Sequence, residues 1–188
     1  MRIIAGSLKG RLLLAPPGRL TRPTADRARE SLFNLLAHGA FERTELAGAR
    51  VLDVFAGAGT LGFEALSRGA AHVTFIENWR GAAKTIENNA KKMGVEASVK
   101  VLTADATRAP AATVPVDIAL LDPPYGEGLI PLALASLAKQ GWLKKDSLIV
   151  AEVAAKEEFQ PPEGFMIRHE RAAGSAARFV FLGRVRGS

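Results

Sequence analysis

Asp122-Pro123-Pro124-Tyr125 brings a carboxylate, two prolines and a phenol ring into one short stretch. Proline lacks a backbone N–H and has a fixed φ, so such a turn is stiff and its carbonyl oxygens stay available as acceptors. Acceptors beside a flat aromatic face suit a planar group bearing an amino nitrogen. The oxygens take its N–H bonds and its ring stacks on Tyr125. The apolar run Val116–Leu121 reads as a buried strand, which sets the turn at a strand's carboxyl end, where open α/β sheets bind ligands. A strand-ending Asp before a proline-stiffened turn accounts for a bare D-P-P-Y equally well. The rest of the chain has to decide.

A second candidate site runs from Asp53 through Gly57, Gly59 and Gly62. Gly57 and Gly59 permit a tight turn and close approach of backbone to a ligand, and the following helix aims its first N–H groups at the same place. The three glycines satisfy G-x-G-x-x-G, and Glu77 lies about twenty residues on, where a carboxylate can hold ribose hydroxyls. This much supports an adenosine-containing ligand and leaves NAD and S-adenosylmethionine both open. Two features favour the latter. Asp53, just before the glycines, would oppose a pyrophosphate but can accept bonds from the ammonium of an amino-acid moiety. Asp105 and the backbone N–H of Ala106 follow the next strand, where an adenine edge can be read, although a turn-capping role fits Asp105 as well. Trp79 reads as a partly packed surface indole.

Composition narrows the classes. The 188 residues suit one domain with a small appendage, and 48% hydrophobic content supports a substantial core. There is no cysteine, which excludes disulfides, thiolate metal sites and thiol nucleophiles. His38, His72 and His169 lack metal-ligand spacing, so no metal is expected. No apolar run reaches membrane-spanning length and the start lacks a signal-peptide pattern; a cytoplasmic protein is expected. The net charge is +6, and residues 1–31 hold seven basic against two acidic side chains, nearly all of that excess. A basic arm on a nearly neutral body attracts polyanions such as nucleic acid. Arg2, Lys9, Arg11, Arg22, Arg27 and Arg29 are the candidate nucleic-acid backbone contacts, with Arg29 the one best suited to pair with a carboxylate instead.

The elements that must position these groups follow from periodicity. Residues 2–7 and 9–14 predict two short strands about Gly6-Ser7, and Thr24 caps a helix whose stripe is Ala28, Leu32, Phe33, Leu35 and Leu36, ended by His38-Gly39. Residues 1–40 are therefore expected to form a basic hairpin-plus-helix extension, and residues 41–188 the main domain. There, strands at 51–55, 72–77, 99–103, 116–121 and 148–153 alternate with helices at 60–68, 80–92 and 129–139, which predicts an α/β fold with a parallel sheet covered on both faces. Segments 165–171 and 178–182 predict a terminal hairpin, and 109–115 a surface loop.

The pattern as a whole resembles the RsmD-type methyltransferases, which methylate the N2 amine of one guanine in 16S ribosomal RNA. The resemblance spans nearly the full chain: Arg2-Ile-Ile-Ala-Gly6 with Lys9-Gly-Arg11, Arg22-Pro-Thr24, Asp26-Arg27-Ala-Arg29-Glu30-Ser-Leu-Phe33-Asn34, Leu52 to Gly59, Gly62 with Glu64 to Gly69, and Asp122 to Tyr125. The glycine loop and D-P-P-Y are common to many methyltransferases; R-P-T and R-x-R-E-S-L-F-N are far more specific. The resemblance implies a seven-stranded, Rossmann-like methyltransferase sheet and S-adenosylmethionine as donor. It also implies that Asp53, Phe55, Gly57 and Gly59 line the methionine end, that Glu77 holds the ribose, that Asp105 and Ala106 hold adenine, and that Asp122, Pro123, Pro124 and Tyr125 form the catalytic turn. The partner implied is 16S rRNA, alone or in a small ribosomal subunit. The chain departs from the family pattern at Asn78-Trp79, where a second acidic residue is common, and at Gly174–Phe179, which lacks a tyrosine. Three rivals remain: an N6-adenine methyltransferase, an NAD-dependent oxidoreductase, and a non-catalytic RNA-binding assembly protein.

Overall fold

Seven strands form one sheet in the order β3-β2-β1-β4-β5-β7-β6. The structure is a computed structural model that describes residues 1–16, 24–37 and 45–185. The strands are β1 (Arg50–Val54), β2 (His72–Glu77), β3 (Val99–Thr103), β4 (Val116–Leu121), β5 (Leu143–Ala154), β6 (Phe165–Ala173) and β7 (Ala177–Arg184). The helices are α1 (Thr24–Ala37), α2 (Thr60–Ser67), α3 (Arg80–Met93) and α4 (Leu129–Lys139). β1 to β5 run parallel, and β7 enters antiparallel between β5 and β6. The chain is thus the expected seven-stranded α/β sheet.

Alternate residues of each central strand serve opposite layers, as the two-residue strand period requires. Val51, Val73, Phe75, Ile118, Leu120, Leu148 and Val150 join one core with Phe33 of α1, Phe63 of α2 and Ile86 of α3. Leu52, Val54, Ile76, Ala119, Leu121 and Ile149 join the other with Ile130, Leu134 and Leu137 of α4. The order of β1, β2 and β4 places a crossover reversal at β1, so the crevice for a ligand opens at the carboxyl ends of β1 and β4.

The N-terminal residues do not form two full strands. Arg2 and Leu12 make one antiparallel bridge, extended by Ile3 N–H to Arg11 O at 3.0 Å and Leu13 N–H to Met1 O at 3.0 Å. What holds the segment is its contact with α2. Glu64, fully buried, accepts Ile4 N–H at 2.8 Å and Ala5 N–H at 3.1 Å. Ser67 Oγ accepts Leu8 N–H at 2.9 Å and donates to Ala5 O. Gly6 (φ +83°) lies so close to the Ser67 carbonyl that a Cβ there would overlap it. Ile3 and Leu13 belong to the same core as α1 and α2. The Arg22 contact, the Thr24 side-chain cap and the His38-Gly39 stop lie outside the described residues. The loop 109–115 is largely at the surface, but Ala109 is buried and Pro110 O accepts the indole N–H of Trp142 at 2.7 Å.

Candidate functional site

β1 leaves the sheet through Phe55, the one non-glycine residue at positive φ (61°) among the described residues. Such a backbone is uncommon outside glycine. Gly57 (φ 56°) and Gly59 (φ 78°) complete the turn. A Cβ on Gly59 would approach the Phe63 ring to 2.8 Å, and one on Gly62 would overlap the Phe75 ring. Gly59 therefore shapes the loop, while Gly62 lets α2 lie flat on the sheet.

Carboxylates fasten this loop from beneath. Asp53 Oδ2 accepts Gly62 N–H at 2.8 Å. Glu77 Oε2 accepts Gly57 N–H at 2.8 Å, and its Oε1 accepts Trp79 N–H at 2.8 Å. Asp53 is buried, and loss of hydration pushes its carboxyl well above the usual range; the Gly62 bond opposes this, while Asp122 and Glu77 push it further up.

Two clefts meet over the loop. One, about 180 Å³, is lined by Asp53, Phe55, Gly57, Thr60 and Asp122, and is walled by Met1 and Pro16. The other, about 230 Å³, is lined by Phe55, Glu77, Asn78, Asp105, Ala106 and Asp122 among others. Phe55 and Asp122 belong to both, so the clefts form one elongated crevice across the sheet's rim. Asp105 accepts Thr107 N–H and Oγ1–H, both at 2.8 Å, and so caps the single-turn helix Ala106–Arg108. Trp79 is exposed, with its indole against Gly81.

The D-P-P-Y turn continues β4. Asp122 N–H bonds Val54 O at 3.3 Å, Pro123 is buried, and Tyr125 is 39% exposed. Tyr125 Oη donates to Glu152 Oε1 of β5 at 2.5 Å.

The basic candidates divide. Arg2, Lys9 and Arg27 line one groove of about 410 Å³, together with Asp26 and Glu30. Arg11 is exposed in the adjoining segment. Arg29 is a correction: its side chain is 4% exposed, pairs with Asp26 at 2.9 Å and Glu64 at 3.7 Å, and donates to Arg2 O at 2.8 Å. It holds the fold together and presents no face to a phosphate.

Sequence reasoning assigned no role to Glu64, Ser67, Asn89 or Glu152. Asn89 is fully buried on α3. It accepts Leu14 N–H at 2.8 Å and donates to Leu14 O at 3.1 Å and Ala58 O at 3.3 Å, tying the N-terminal segment to the glycine loop. No periodicity marks such a residue; only its partners do.

The donor set suits one kind of ligand. Asp53, Glu77 and Asp122 give the crevice negative charge, which opposes a pyrophosphate and favours a cation. Glu77 and Asp105 are acceptors placed for hydroxyl and amino groups. A cationic, adenosine-containing ligand such as S-adenosylmethionine fits these residues. Among the described residues, no group of three or more His, Cys, Asp or Glu side chains is placed to hold a metal ion, and no helix is long and apolar enough to cross a membrane.

The fold is that of a solved S-adenosylmethionine-dependent methyltransferase from Aquifex aeolicus (TM-score 0.65, 20% identity, covering 87% of this chain and 94% of that one). The chain belongs to the RsmD family: the family model described as "Conserved hypothetical protein 95" matches residues 1–182. It is 34% identical to the Escherichia coli (strain K12) protein named "Ribosomal RNA small subunit methyltransferase D", over 100% of this chain and 92% of that one. The Haemophilus influenzae protein of the same name is 33% identical, over 93% and 89%. The solved structure of yhhF from Escherichia coli superposes with a TM-score of 0.83 at 34% identity, covering 100% of this chain and 99% of that one.

Proposed function

We propose that the protein transfers a methyl group from S-adenosylmethionine to the exocyclic N2 amine of a guanine in 16S ribosomal RNA, in the cytoplasm. The observation that carries this reading is that Asp122 borders both clefts of the crevice and also opens the D-P-P-Y turn. A donor in the crevice and an amine at the turn would then meet at one carboxylate. The relatives' names support ribosomal RNA as the substrate class.

Bound there, S-adenosylmethionine would supply an electrophilic methyl carbon on a sulfonium. Asp53 would take the ammonium of its amino-acid end, Glu77 the ribose hydroxyls, and Asp105 with the Ala106 N–H the adenine edge. Tyr125 would stack on an extruded guanine. The Asp122 carboxylate and the Pro123 carbonyl would accept the two N2–H bonds, drawing the nitrogen lone pair out of conjugation and aiming it at the methyl carbon. S-adenosylmethionine would give up its methyl group and leave as the neutral thioether, and Asp122 or solvent would take the surplus N2 proton. Alignment of this kind contributes roughly 7–11 kcal/mol to lowering a barrier. Arg2, Lys9, Arg11 and Arg27 would bind RNA phosphates, and Arg22 of the extension is assigned the same role.

The test is to map modified nucleotides in 16S RNA from cells lacking the protein and to restore the modification with purified protein and S-adenosylmethionine. One N2-methylguanine should vanish and return. Loss of an N6-methyladenine instead, or no change, would reject the guanine assignment.

A further inference from the structure

Along the rim, the β1–β4 register pairs Asp53 with Leu120 and the β4–β5 register pairs Leu121 with Ala151. One step further sets Glu152 beside Asp122, about one strand spacing (~4.8 Å) away. In-register residues of parallel strands share a face. Asp53 of β1 and Glu152 of β5 therefore share a face, and Asp122, the residue just after β4, continues the same parity. Glu77, on β2, has the same parity. The rim reads in order: Glu77, Asp53, Asp122, Glu152. The first three border the crevice assigned to the donor. Glu152 lies beyond them and lines a separate cavity of about 130 Å³ with Pro123, Pro124 and Tyr125.

We infer that Glu152 is the residue that selects guanine, accepting the base's N1–H while Asp122 and Pro123 hold its N2 amine; this rests on the methyltransferase reading above. Guanine presents N1–H and N2–H as adjacent donors, and an ionised carboxylate is an acceptor only. Adenine presents a lone pair at N1, which would face that carboxylate unpaired. A site built to bond one edge rejects an analogue lacking the donor strongly, because its own polar group is left without a partner. The Tyr125 hydroxyl, 2.5 Å from Glu152 Oε1, orients the carboxylate and leaves it further acceptor capacity. The same bond fixes the ring that would stack on the base, so stacking and edge recognition are set together.

The test compares guanine with 2-aminopurine, which keeps the N2 amine but carries a lone pair at N1. Each is placed singly at the target position of 16S RNA, assembled into small subunits where the natural site requires it. Wild-type protein should favour guanine in kcat/KM by roughly 100-fold or more, on the scale by which hydrogen-bonding sites reject analogues. In Glu152→Gln the amide can donate to a bare N1 or, flipped, accept from N1–H, so the preference should shrink to about tenfold or less, with S-adenosylmethionine affinity unchanged. Tyr125→Phe should slow both bases alike. Equal use of the two bases by wild-type protein overturns the inference without any variant. So does a Glu152→Gln protein that loses activity on both equally, as mere support of Tyr125 would produce. Should wild-type protein methylate no guanine at all, the underlying reading fails instead.

Discussion

Two carboxylates eleven residues apart along the chain, Asp53 and Glu64, are both fully buried, and they live in opposite surroundings. Glu64 receives Arg68 Nε at 2.8 Å, faces Arg29 Nε at 3.7 Å and accepts two backbone N–H groups from the N-terminal segment. Asp53 receives one backbone N–H and faces two further carboxylates, Asp122 and Glu77. Burying a charge costs several kcal/mol unless it is paired. Glu64 has internal partners and serves the fold. The charged groups that act on Asp53 are carboxylates, and under the proposed function a cationic ligand offsets them.

The comparison can be broken from either side. The largest effect is expected at Asp122, which borders both clefts and, in the proposed function, holds the target amine. Asp122→Ala should lower turnover by roughly a thousandfold or more, as loss of an aligned acceptor in a positioning-driven reaction implies, while calorimetry still detects cofactor binding. Near-normal turnover would remove Asp122 from the chemistry. Next comes Glu64→Ala, which strands two arginines and two N–H groups. Urea unfolding should report a loss of about 3–5 kcal/mol, the usual cost of breaking a buried ion pair.

Asp53→Asn should do the reverse. Cofactor affinity should fall roughly 10–100-fold, the scale of a charge-assisted hydrogen bond, yet the ligand-free protein should gain stability at neutral pH. The direction follows from the raised carboxyl of Asp53. A group that holds its proton more tightly folded than unfolded contributes stability at low pH, and that contribution is lost as pH rises through its folded value. The advantage of Asn over Asp should therefore grow with pH in thermal melts. In the wild-type protein, affinity for the cationic cofactor should rise over the same interval, with protons released on binding. A pH-independent affinity would place the ammonium elsewhere.

The smallest effect is expected at Asn89. Asn89→Ala removes three hydrogen bonds that fasten Leu14 to the glycine loop. It should cost about 1–3 kcal/mol from the unsatisfied backbone groups. It should also weaken cofactor binding severalfold, because Met1 and Pro16 wall the crevice. Unchanged affinity would make that wall incidental.

Most of the sheet was legible because strand and helix periods leave direct marks. β2, β3, β4 and α4 begin and end where hydrophobic alternation and turn residues predict. β5 is longer at its start, Leu143 instead of Leu148, because Lys144 and Lys145 interrupt the apolar pattern at a half-exposed strand end. The hairpin at the N-terminus shrank to a single bridge. Its residues have strand-like propensity, but their hydrogen bonds go to Glu64, Ser67 and Asn89, which are distant in sequence. Arg29 was misplaced for the same reason, since a charge count cannot tell an arginine facing solvent from one turned onto a buried glutamate.

The order of apolar and polar residues was enough to dictate which segments became strands, that the glycines would make a sharp loop, and that D-P-P-Y would end a strand, because each depends on neighbours a few residues away. Which carboxylates gathered on one rim, which arginines turned inward, and that the chain's first residues would wall a crevice built some forty residues later were decided only by folding. Those outcomes depend on registers between strands and on buried partners far apart along the chain, and neither leaves a local signature.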